Sequence, residues 1–276
     1  MNSVEQIIAL ALIEDTGLGD ITTESILPEP QNGRGVIVAK EGCILAGVDV
    51  ACQVFNTIDP DLICQPKFKD GQRVVEGDVI LEVIGNIASQ LQGERTALNF
   101  LQRLSGIATI TRKYVAALDT PTVRLVDTRK TTPGWRALEK EAVRAGGGFN
   151  HRFALYDGIL IKDNHIAAAG SIQRAVERVR ARASHLMKIE VEVSDMQGVE
   201  AALAAGVDVI MLDNMDVSSM ATAVKTINGR AIVEASGNVS LDTLKPIAAT
   251  GVDVISCGAL THQARSVDLS MRINTE

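Results

Sequence analysis

Short apolar runs alternate with amphipathic segments throughout the second half of the chain. The apolar runs predict strands at 122–128, 158–164, 187–194, 207–214, 231–238 and 252–260. Segments with a helical period lie between them, at 170–183, 196–205, 217–228 and 241–250, and a further helix follows Pro133. Strands that alternate with helices in this way are typical of a parallel sheet in an α/β fold.

A sequence repeat supports this prediction. The motif Ala-Gly-Val-Asp-Val-Ile at 205–210 recurs as Thr-Gly-Val-Asp-Val-Ile at 250–255. Each copy ends a helix with glycine and then enters an apolar strand. Repeated units of this kind favour an α/β barrel, with a doubly wound sheet as the alternative. No strand is followed by a G-x-G-x-x-G motif, which weakens a dinucleotide-binding interpretation.

The first half of the chain has a different pattern. A helix is predicted at 4–14, and residues 34–84 alternate and break at glycines as short strands do. Part of this segment resembles the half-barrel of biotinyl and lipoyl carriers, but it has no lysine at a hairpin tip to carry the prosthetic group. A second helix is predicted at 93–117, with Ser105–Gly106 as a kink. The chain is long enough for one barrel-sized domain or for a large domain with a smaller one.

The composition narrows the choice of partner and compartment. The 276 residues carry a formal charge of -7, which argues against non-specific binding to nucleic acid. The four cysteines form neither a C-x-x-C pair nor a zinc-ligand spacing, and they indicate a reducing compartment. The first residues contain acids and an apolar run too short for a signal peptide or membrane span. We therefore expect a cytoplasmic protein with no membrane partner.

Between Asp127 and Ile166 the chain concentrates positive charge on this acidic background. The cationic and histidine residues there are Arg129, Lys130, Arg136, Lys140, Arg144, His151, Arg152, Lys162 and His165. Such a concentration predicts a pocket for a small, multiply anionic molecule. The three residues spaced by four, Arg136, Lys140 and Arg144, are predicted to form a solvated or intersubunit helix face. For His165 a structural role and a functional one are equally open.

Polar residues or glycines follow almost every predicted strand, where barrel enzymes carry their catalytic groups. These ends are Asp127 to Lys130, Lys162 to His165, Glu190 or Glu192, Asp213 and Asn214, Glu234 with Ser236 to Asn238, and Ser256 to Gly258. In chain order, the first strand ends carry cations, the middle strand ends carry carboxylates, and the last two strand ends carry small residues with glycine. Carboxylates can hold Mg²⁺ or stabilise a positive transition state, and glycine loops present backbone amides to phosphate. This order predicts a phosphorylated sugar and a carboxylated partner as ligands.

Eight motifs are spread along nearly the whole chain: EDTGLGDIT at 14–22, GERTALNFLQRLSGIAT at 93–109, DTRKTTPGWRALEKEAVRAGGGFNHR at 127–152, LYDGILIKDNHI at 155–166, IEVEV at 189–193, IMLDN at 210–214, EASGN at 234–238 and ISCGALTH at 255–262. Together they resemble the motifs of the quinolinate phosphoribosyltransferase family, the decarboxylating nicotinate-nucleotide pyrophosphorylases. The set is highly specific, although D-T-R-K-T alone would be weak.

The resemblance implies an enzyme of NAD biosynthesis. Its products would be nicotinate mononucleotide, CO₂ and pyrophosphate, made from quinolinate and phosphoribosyl pyrophosphate with Mg²⁺ as cofactor. The implied quinolinate-binding residues are Thr128, Arg129, His151, Arg152, Lys162 and, from a neighbouring subunit, Arg95. Phosphoribosyl pyrophosphate binding and catalysis would fall to Lys130, Glu192 and Asp213, with Glu192 and Asp213 as Mg²⁺ candidates. The implied phosphate loops are Ser236, Gly237, Asn238 and Cys257, Gly258, Ala259. Glu190 shares a strand face with Glu192, and only the family pattern favours Glu192.

The resemblance also implies the fold and the assembly. The fold would be an incomplete α/β barrel at 113–266 joined to a smaller α+β open-sandwich domain at 1–112, onto which residues 267–276 pack back. A homodimer or higher homo-oligomer would share its active sites. Two alternatives remain: a related phosphoribosyltransferase for another nitrogen heterocycle, and a non-catalytic protein that binds phosphorylated ligands. Loss of Glu192 or Asp213 would favour the second alternative, and both are present.

Overall fold

The computed structural model describes residues 3–274. The chain forms two compact units, each built from more than one segment. The first unit holds the described residues of Met1–Arg112, Thr131–Gly147 and Leu260–Glu276, and the second holds Lys113–Lys130 and Gly148–Ala259. None of the described helices combines the length and the apolar character that a membrane span requires.

The first unit contains a four-stranded antiparallel sheet in the order β12-β1-β5-β3. Its strands are β1 (Asn32–Ala39), β3 (Ile63–Pro66), β5 (Val79–Asn86) and β12 (Leu269–Asn274). A separate antiparallel pair is formed by β2 (Cys43–Ile44) and β4 (Arg73–Val74). The register of β12 against β1 runs from Arg34 opposite Asn274 to Ala39 opposite Leu269. The last described segment of the chain therefore forms one edge of this sheet.

Helices α1 (Ser3–Thr16), α2 (Ile21–Ile26), α3 (Val48–Ile58) and α5 (Arg136–Ala145) also belong to the first unit. A longer helix, α4 (Ile87–Leu118), extends beyond both ends of its predicted range and runs continuously through Ser105 and Gly106. A Cβ on Gly106 would lie 2.0 Å from the backbone oxygen of Arg265. Gly106 therefore allows the backbone at Arg265 to pass close to α4. Helices α2 and α3 were not predicted, because short apolar segments suit helix and strand alike.

The second unit contains a six-stranded parallel sheet in the order β6-β11-β10-β9-β8-β7. The strands are β6 (Arg124–Val126), β7 (Ile159–Ile161), β8 (Ile189–Val193), β9 (Val209–Asp213), β10 (Ile232–Ser236) and β11 (Val254–Ser256). From β7 to β11 each strand lies beside its predecessor, without the reversal that defines a doubly wound sheet. Six parallel strands with helices between them confirm the predicted incomplete α/β barrel, which has two strands fewer than a closed barrel.

Two helices, α6 (Asp163–Ala169) and α7 (Ile172–Arg180), follow β7. The next strands are each followed by one helix: α8 (Met196–Ala204), α9 (Val217–Ile227), α10 (Leu241–Ala248) and, after β11, the short α11 (Ala259–His262). Most of the longer helices begin with a side-chain cap. Ser171, Asp195 and Asp216 accept hydrogen bonds from the backbone N–H three residues ahead. Such caps place the helix starts just after the strand ends.

The repeated Gly-Val-Asp motif has a structural explanation. Asp208 accepts a hydrogen bond from the backbone N–H of Ile189 at 2.8 Å, and Asp253 accepts one from Val233 at 2.8 Å. Each aspartate thus joins the start of its own strand to the start of the neighbouring strand. The sequence repeat therefore reflects the same strand-to-strand hydrogen bond, formed at two places in the sheet.

Candidate active site

The carboxyl end of β6 is tied to the loop that carries His151. Asp127 is fully buried, and its two carboxylate oxygens accept hydrogen bonds from Asn150 Nδ2 at 2.6 Å and from the His151 backbone N–H at 2.9 Å. The backbone of Phe149 pairs with Leu125 beside it. Asp127 therefore fixes the backbone of this loop and, with it, the direction in which His151 and Arg152 project.

His151 reaches into the barrel and meets two glutamates. Its Nε2 lies 3.3 Å from Glu190 Oε2 and 3.5 Å from Glu234 Oε1. Glu190 is on β8 and Glu234 is on β10, and alternate strands commonly fill one layer of a barrel interior. We refer to His151, Glu190 and Glu234 as the buried triad. Both glutamates are almost completely buried, at 7% and 4% exposure.

Burial and the facing carboxylates set the protonation of the buried triad. Burial and, to a smaller extent, the charge of Glu190 raise the pKa of Glu234 to about 7, against the opposing effect of His151. Burial lowers the pKa of His151, but the hydrogen bond to Glu190 and the charges of both glutamates outweigh this and raise it overall. The His151 Nδ1 accepts the Arg152 backbone N–H at 2.8 Å. That bond leaves the imidazole proton on Nε2, where it points at the carboxylates.

The buried triad also offers three ligand atoms within 4.8 Å of one another, as a metal site would. A metal ion binds only an unprotonated imidazole nitrogen. With Nδ1 engaged by a backbone N–H, Nε2 keeps its proton and is closed to a metal. The buried triad is therefore better explained as a hydrogen-bonded cluster than as a metal site.

Arg129 and Arg152 lie close together at the edge of the buried triad. Burial lowers the pKa of Arg152, and the neighbouring positive charge of Arg129 lowers it further, against the effect of Glu190 and Asp157. The Arg152 Nη1 donates to the Gly158 carbonyl at 2.8 Å, and its Nε is buried with no hydrogen-bond partner among the described residues. Two partly desolvated guanidinium groups repel each other until an anion lies between them. We call Arg129 and Arg152 the cationic pair.

Lys162 and Glu192 form an ion pair at the ends of β7 and β8. The resemblance implied different ligands for them, quinolinate for Lys162 and phosphoribosyl pyrophosphate for Glu192. The lysine ammonium is the more exposed partner, at 42% of its side chain against 15% for the glutamate. The backbone N–H of Lys162 donates to His165 Nδ1 at 3.0 Å, which gives His165 a structural role at the start of α6.

Asp213 stands at the end of β9 on a hydrogen-bonded support. Asn214 donates from Nδ2 to Asp213 Oδ2 at 2.8 Å and accepts from Asn238 Nδ2 at 3.0 Å. Asn214, Gly237 and Asn238 all have positive φ, at 54°, 91° and 50°. A Cβ on Gly237 would lie 2.2 Å from Asn214 Oδ1. Only glycine therefore lets the loop after β10 close onto the loop after β9.

Two further predicted segments lie at neighbouring strand ends. Cys257 follows β11, and its backbone N–H donates to the Val126 carbonyl at 2.9 Å. Its side chain is buried, so the backbone of this loop is what a ligand could reach. Thr128 and Lys130 follow β6, where the Lys130 backbone N–H donates to Thr128 Oγ1 at 3.0 Å and the lysine side chain is exposed. Arg95 is an exposed residue of α4 in the first unit, and its role stays a prediction.

The prediction of a solvated cationic face on α5 is wrong for one residue. Lys140 is 4% exposed, and its neighbour Glu139 is fully buried. Arg136 donates to Thr131 Oγ1 at 3.0 Å, while Arg144 is exposed and pairs with Glu141. Spacing by four places three cations on one helix face, but it does not show which neighbours cover that face.

The predicted site omitted Asp127, Asn150, Glu190 and Glu234. Three of them were visible as polar residues at strand ends, and the signal was therefore present in the sequence. Their partners were not, because Asp127 acts on residues 23 and 24 positions away and Glu234 meets His151 from another strand.

Comparisons with known proteins identify the family. The sequence profile described as "Quinolinate phosphoribosyl transferase, N-terminal domain" matches residues 20–105, and "Quinolinate phosphoribosyl transferase, C-terminal domain" matches residues 107–272. A probable nicotinate-nucleotide pyrophosphorylase (carboxylating) of Bacillus subtilis is 48% identical over 261 residues, which cover 95% of this chain and 90% of the relative. A protein of the same name from Synechocystis is 48% identical over 265 residues, with the same two coverages.

Solved structures show the same fold over the full length. NadC from Streptococcus pyogenes superposes with a TM-score of 0.94 at 45% identity, covering 98% of this chain and 96% of that one. The nicotinate-nucleotide pyrophosphorylase from Francisella tularensis has a TM-score of 0.94 at 40% identity, covering 99% and 96%. The matched profiles, the level of identity and the shared fold place this chain in the quinolinate phosphoribosyltransferase family.

Proposed function

We propose that the protein transfers the phosphoribosyl group of phosphoribosyl pyrophosphate to quinolinate and decarboxylates it. The products are nicotinate mononucleotide, pyrophosphate and CO₂, and the reaction belongs to NAD biosynthesis. The observation that carries this proposal is the cationic pair, which offers two adjacent guanidinium groups to a dicarboxylate. Carboxylates at the ends of β8 and β9 lie on the same edge of the parallel sheet, where a developing positive charge needs them.

Quinolinate binding would use the cationic pair together with Lys162. Arg129 and Arg152 offset the two carboxylates and remove them from water, and Lys162 adds a third positive charge. His151 has both ring nitrogens engaged by the protein, Nδ1 by Arg152 and Nε2 by the glutamates. It therefore supports the diacid site chiefly by holding Arg152 in place. Thr128 completes the predicted set at the end of β6.

The phosphoribosyl donor would lie over the later strand ends. Glu192 and Asp213 stabilise the positive charge that grows on the ribosyl carbon as pyrophosphate departs, and this charge exists only near the transition state. Lys130 offers its exposed ammonium to the phosphates. The loop Ser236–Asn238 offers backbone amides and leads into α10. The loop Cys257–Ala259 follows the neighbouring strand, although its Cys257 N–H already donates to the Val126 carbonyl.

Decarboxylation follows from the new bond to the ring nitrogen. Attack of that nitrogen on the ribosyl carbon makes a pyridinium cation. The bond between ring C2 and its carboxylate then breaks, CO₂ leaves, and the electron pair stays on C2 beside the positive nitrogen until a proton takes it up. The charge of the ring itself lowers the barrier, so no organic cofactor is required.

We propose Mg²⁺ as the metal that accompanies phosphoribosyl pyrophosphate, held by Asp213 and by substrate phosphate oxygens. Mg²⁺ in phosphate-transfer sites takes one or two protein carboxylates, and Asp213 fits because its carboxylate is half-exposed at a strand end. Glu192, the other predicted ligand, has its Oε2 engaged by the Lys162 ammonium, so Asp213 is the first candidate. The bound metal would supply neutralisation of the pyrophosphate as it leaves.

Release of CO₂ tests the proposed function. The protein is mixed with phosphoribosyl pyrophosphate, Mg²⁺ and quinolinate labelled in the 2-carboxyl group, and trapped CO₂ is counted against pyrophosphate. Equal amounts are expected, and Lys130→Ala should remove both. Turnover of nicotinate without CO₂ would instead establish a related phosphoribosyltransferase for a monocarboxylate. Binding of phosphorylated ligands without any turnover would favour a non-catalytic role.

The assembly and location are part of the same proposal. A homodimer in which Arg95 enters the partner's site would make Arg95→Ala and Lys130→Ala complementary defects. Mixing the two inactive variants through reversible unfolding would then restore roughly a quarter of wild-type activity, because half of the dimers carry one intact site. No recovery would remove Arg95 from a shared site. A cytoplasmic location and a domain boundary near residue 112 stay predictions.

A further inference from the structure

The buried triad is joined to the cationic pair through His151, whose Nδ1 accepts the Arg152 backbone N–H. Glu190 is close enough to Arg152 for its charge to act on the guanidinium group. Glu234 reaches the same cluster from β10 through His151, whose Nε2 is 3.5 Å from its Oε1. The proposed reaction uses neither glutamate. The charge of Glu190 nevertheless acts on Arg152, and the charge of Glu234 acts on His151, which holds the Arg152 backbone.

Two buried carboxyl groups in contact cannot both be ionised without a large repulsion. Glu190 and Glu234 each place a carboxylate oxygen within 4.8 Å of the other's, and Oε1 of each is buried with no hydrogen-bond partner in residues 3–274. A doubly protonated His151 could offset the charge, but its Nδ1 is an acceptor for the Arg152 backbone. A proton on one carboxyl group resolves the conflict, and Glu234 is the more buried of the two.

We propose that Glu234 is a carboxylic acid whenever quinolinate is bound, so that the protein takes up a proton with this substrate if Glu234 was ionised beforehand. The inference rests on the proposed function and concerns the same site. Its reason is electrostatic. Quinolinate brings two negative charges to Arg129 and Arg152, and an ionised Glu234 would compete with them for the same positive field.

The surroundings of Glu234 identify the groups that act on it. Glu190 faces it from β8, His151 from the loop after β6, and the Ser256 hydroxyl from β11. Its paired neighbours, Met211 on β9 and Val254 on β11, are apolar. The titratable groups found to act on Glu234 within residues 3–274 are thus a glutamate and a histidine, and one of them, Glu190, also acts on Arg152 of the cationic pair.

The pKa of Glu234, raised to about 7 chiefly by burial, defines the useful pH window. Below this pH the residue already carries its proton, and quinolinate binding requires no further uptake. Above it, each binding event takes up a proton, until the still higher pKa in the complex is passed. The affinity for quinolinate therefore stays constant at low pH and falls as the pH rises through the window.

Calorimetric titration of quinolinate into the full-length protein, without phosphoribosyl pyrophosphate, measures this coupling directly. Titrations between about pH 6 and 8.5, in buffers of different ionisation heat, give both the dissociation constant and the number of protons taken up. We expect a constant dissociation constant up to about pH 7 and then a rise of up to about tenfold per pH unit. Proton uptake should increase from near zero towards one over the same window.

Two matched variants assign the proton to its residue. Glu234→Gln keeps the shape and a hydrogen-bond donor but cannot ionise. It should bind quinolinate like the wild type at low pH and should lose the pH dependence and the proton uptake. The control, Glu82→Gln, removes a carboxylate from the sheet of the first unit, where Glu82 pairs with Arg34 and Lys67. This variant should keep both the pH dependence of binding and the proton uptake. Nitrogen chemical shifts of the His151 ring should report the Nε2–H form throughout.

The outcomes separate the inference from the proposed function. If quinolinate binds and releases CO₂ on turnover but proton uptake is near zero at every pH, the inference is overturned and the function stands. Uptake that persists in Glu234→Gln assigns the proton elsewhere and also overturns it. If quinolinate does not bind at any pH, the proposed function itself fails. Should Glu234→Gln not fold, the wild-type proton uptake still decides.

Discussion

Arg103 is expected to hold the segment after Lys130 in place by a buried ion pair. Its Nη2 lies 3.1 Å from Glu139 Oε1, and the glutamate side chain has no solvent exposure. The same guanidinium donates to the carbonyls of Ala264 and Thr261, both at 2.6 Å. We expect Arg103→Met to destabilise the protein by about 3–5 kcal/mol, since it leaves a buried carboxylate unpaired.

The size of this effect follows from what each substitution leaves behind. Arg103→Met removes the charge partner of Glu139 and the donors of two carbonyls, while Thr132 still donates to the carboxylate from Oγ1 at 2.8 Å. Glu139→Gln keeps the shape and removes the charge, so its cost should be smaller, about 1–3 kcal/mol. Arg103→Met with Glu139→Leu leaves no uncompensated charge, and the two substitutions should couple favourably by about 2 kcal/mol.

Urea unfolding followed by fluorescence measures these differences. Trp135 is the one tryptophan of the chain and lies just before α5, where it stacks on Phe100 with ring centroids 4.5 Å apart. Its emission therefore reports the segment that Glu139 anchors, and far-ultraviolet circular dichroism reports the rest. Arg265→Met, which breaks the exposed pair with Glu41, is the matched control and should leave the midpoint nearly unchanged.

Two results would refute this reasoning. Equal midpoint shifts for Arg103→Met and the Arg265→Met control would mean that burial adds nothing to the pair. Strict additivity in the double variant would mean that the two side chains do not act on each other.

Three further predictions concern the strand ends. In Gly237→Ala the new Cβ would clash with Asn214, and the φ of 91° would add a backbone strain of about 1–3 kcal/mol. The KM for phosphoribosyl pyrophosphate should therefore rise, while the dissociation constant of quinolinate stays the same. Lys162→Met leaves Glu192 without its cation, and steady-state kinetics should show kcat/KM lowered by about 100-fold or more; unchanged kinetics would exclude this ion pair from the active site. Glu234 binds its proton more tightly when folded, with a pKa of about 7 against an ordinary value of 4.5. Stability should therefore fall by about 3 kcal/mol as the pH rises between these values, and urea unfolding of Glu234→Gln should lack this loss.

Hydrophobic pattern was sufficient for the parallel half of the fold. Each buried strand of the barrel is a short apolar run, and six such runs separated by helices leave few topologies. The pattern was insufficient for short helices such as α3 and α6, whose few turns do not establish a period. It also failed for Lys140, because helical spacing orders residues around an axis but does not say which face another segment will cover.

Polarity at strand ends located most of the site for a similar reason. The carboxyl ends of parallel strands meet at one edge, so the order of strands and polar residues along the chain was enough to predict that Asp127, Lys162 and Asp213 lie at that edge. Their pairings could not be inferred in this way. Glu190 and Glu192 occupy the same face of β8 two residues apart, yet one meets His151 and the other meets Lys162.

The sequence by itself determined the architecture, the edge of the sheet that carries chemistry and the kinds of charge gathered there. These depend on period and order along the chain, which sequence contains. Tertiary structure alone decided that Glu190 and Glu234 meet at His151, that His151 Nδ1 accepts the Arg152 N–H, and that burial raises the pKa of Glu234. Those properties depend on separations of a few ångströms between residues far apart in the chain and on the exclusion of water around them. Only the folded barrel sets both.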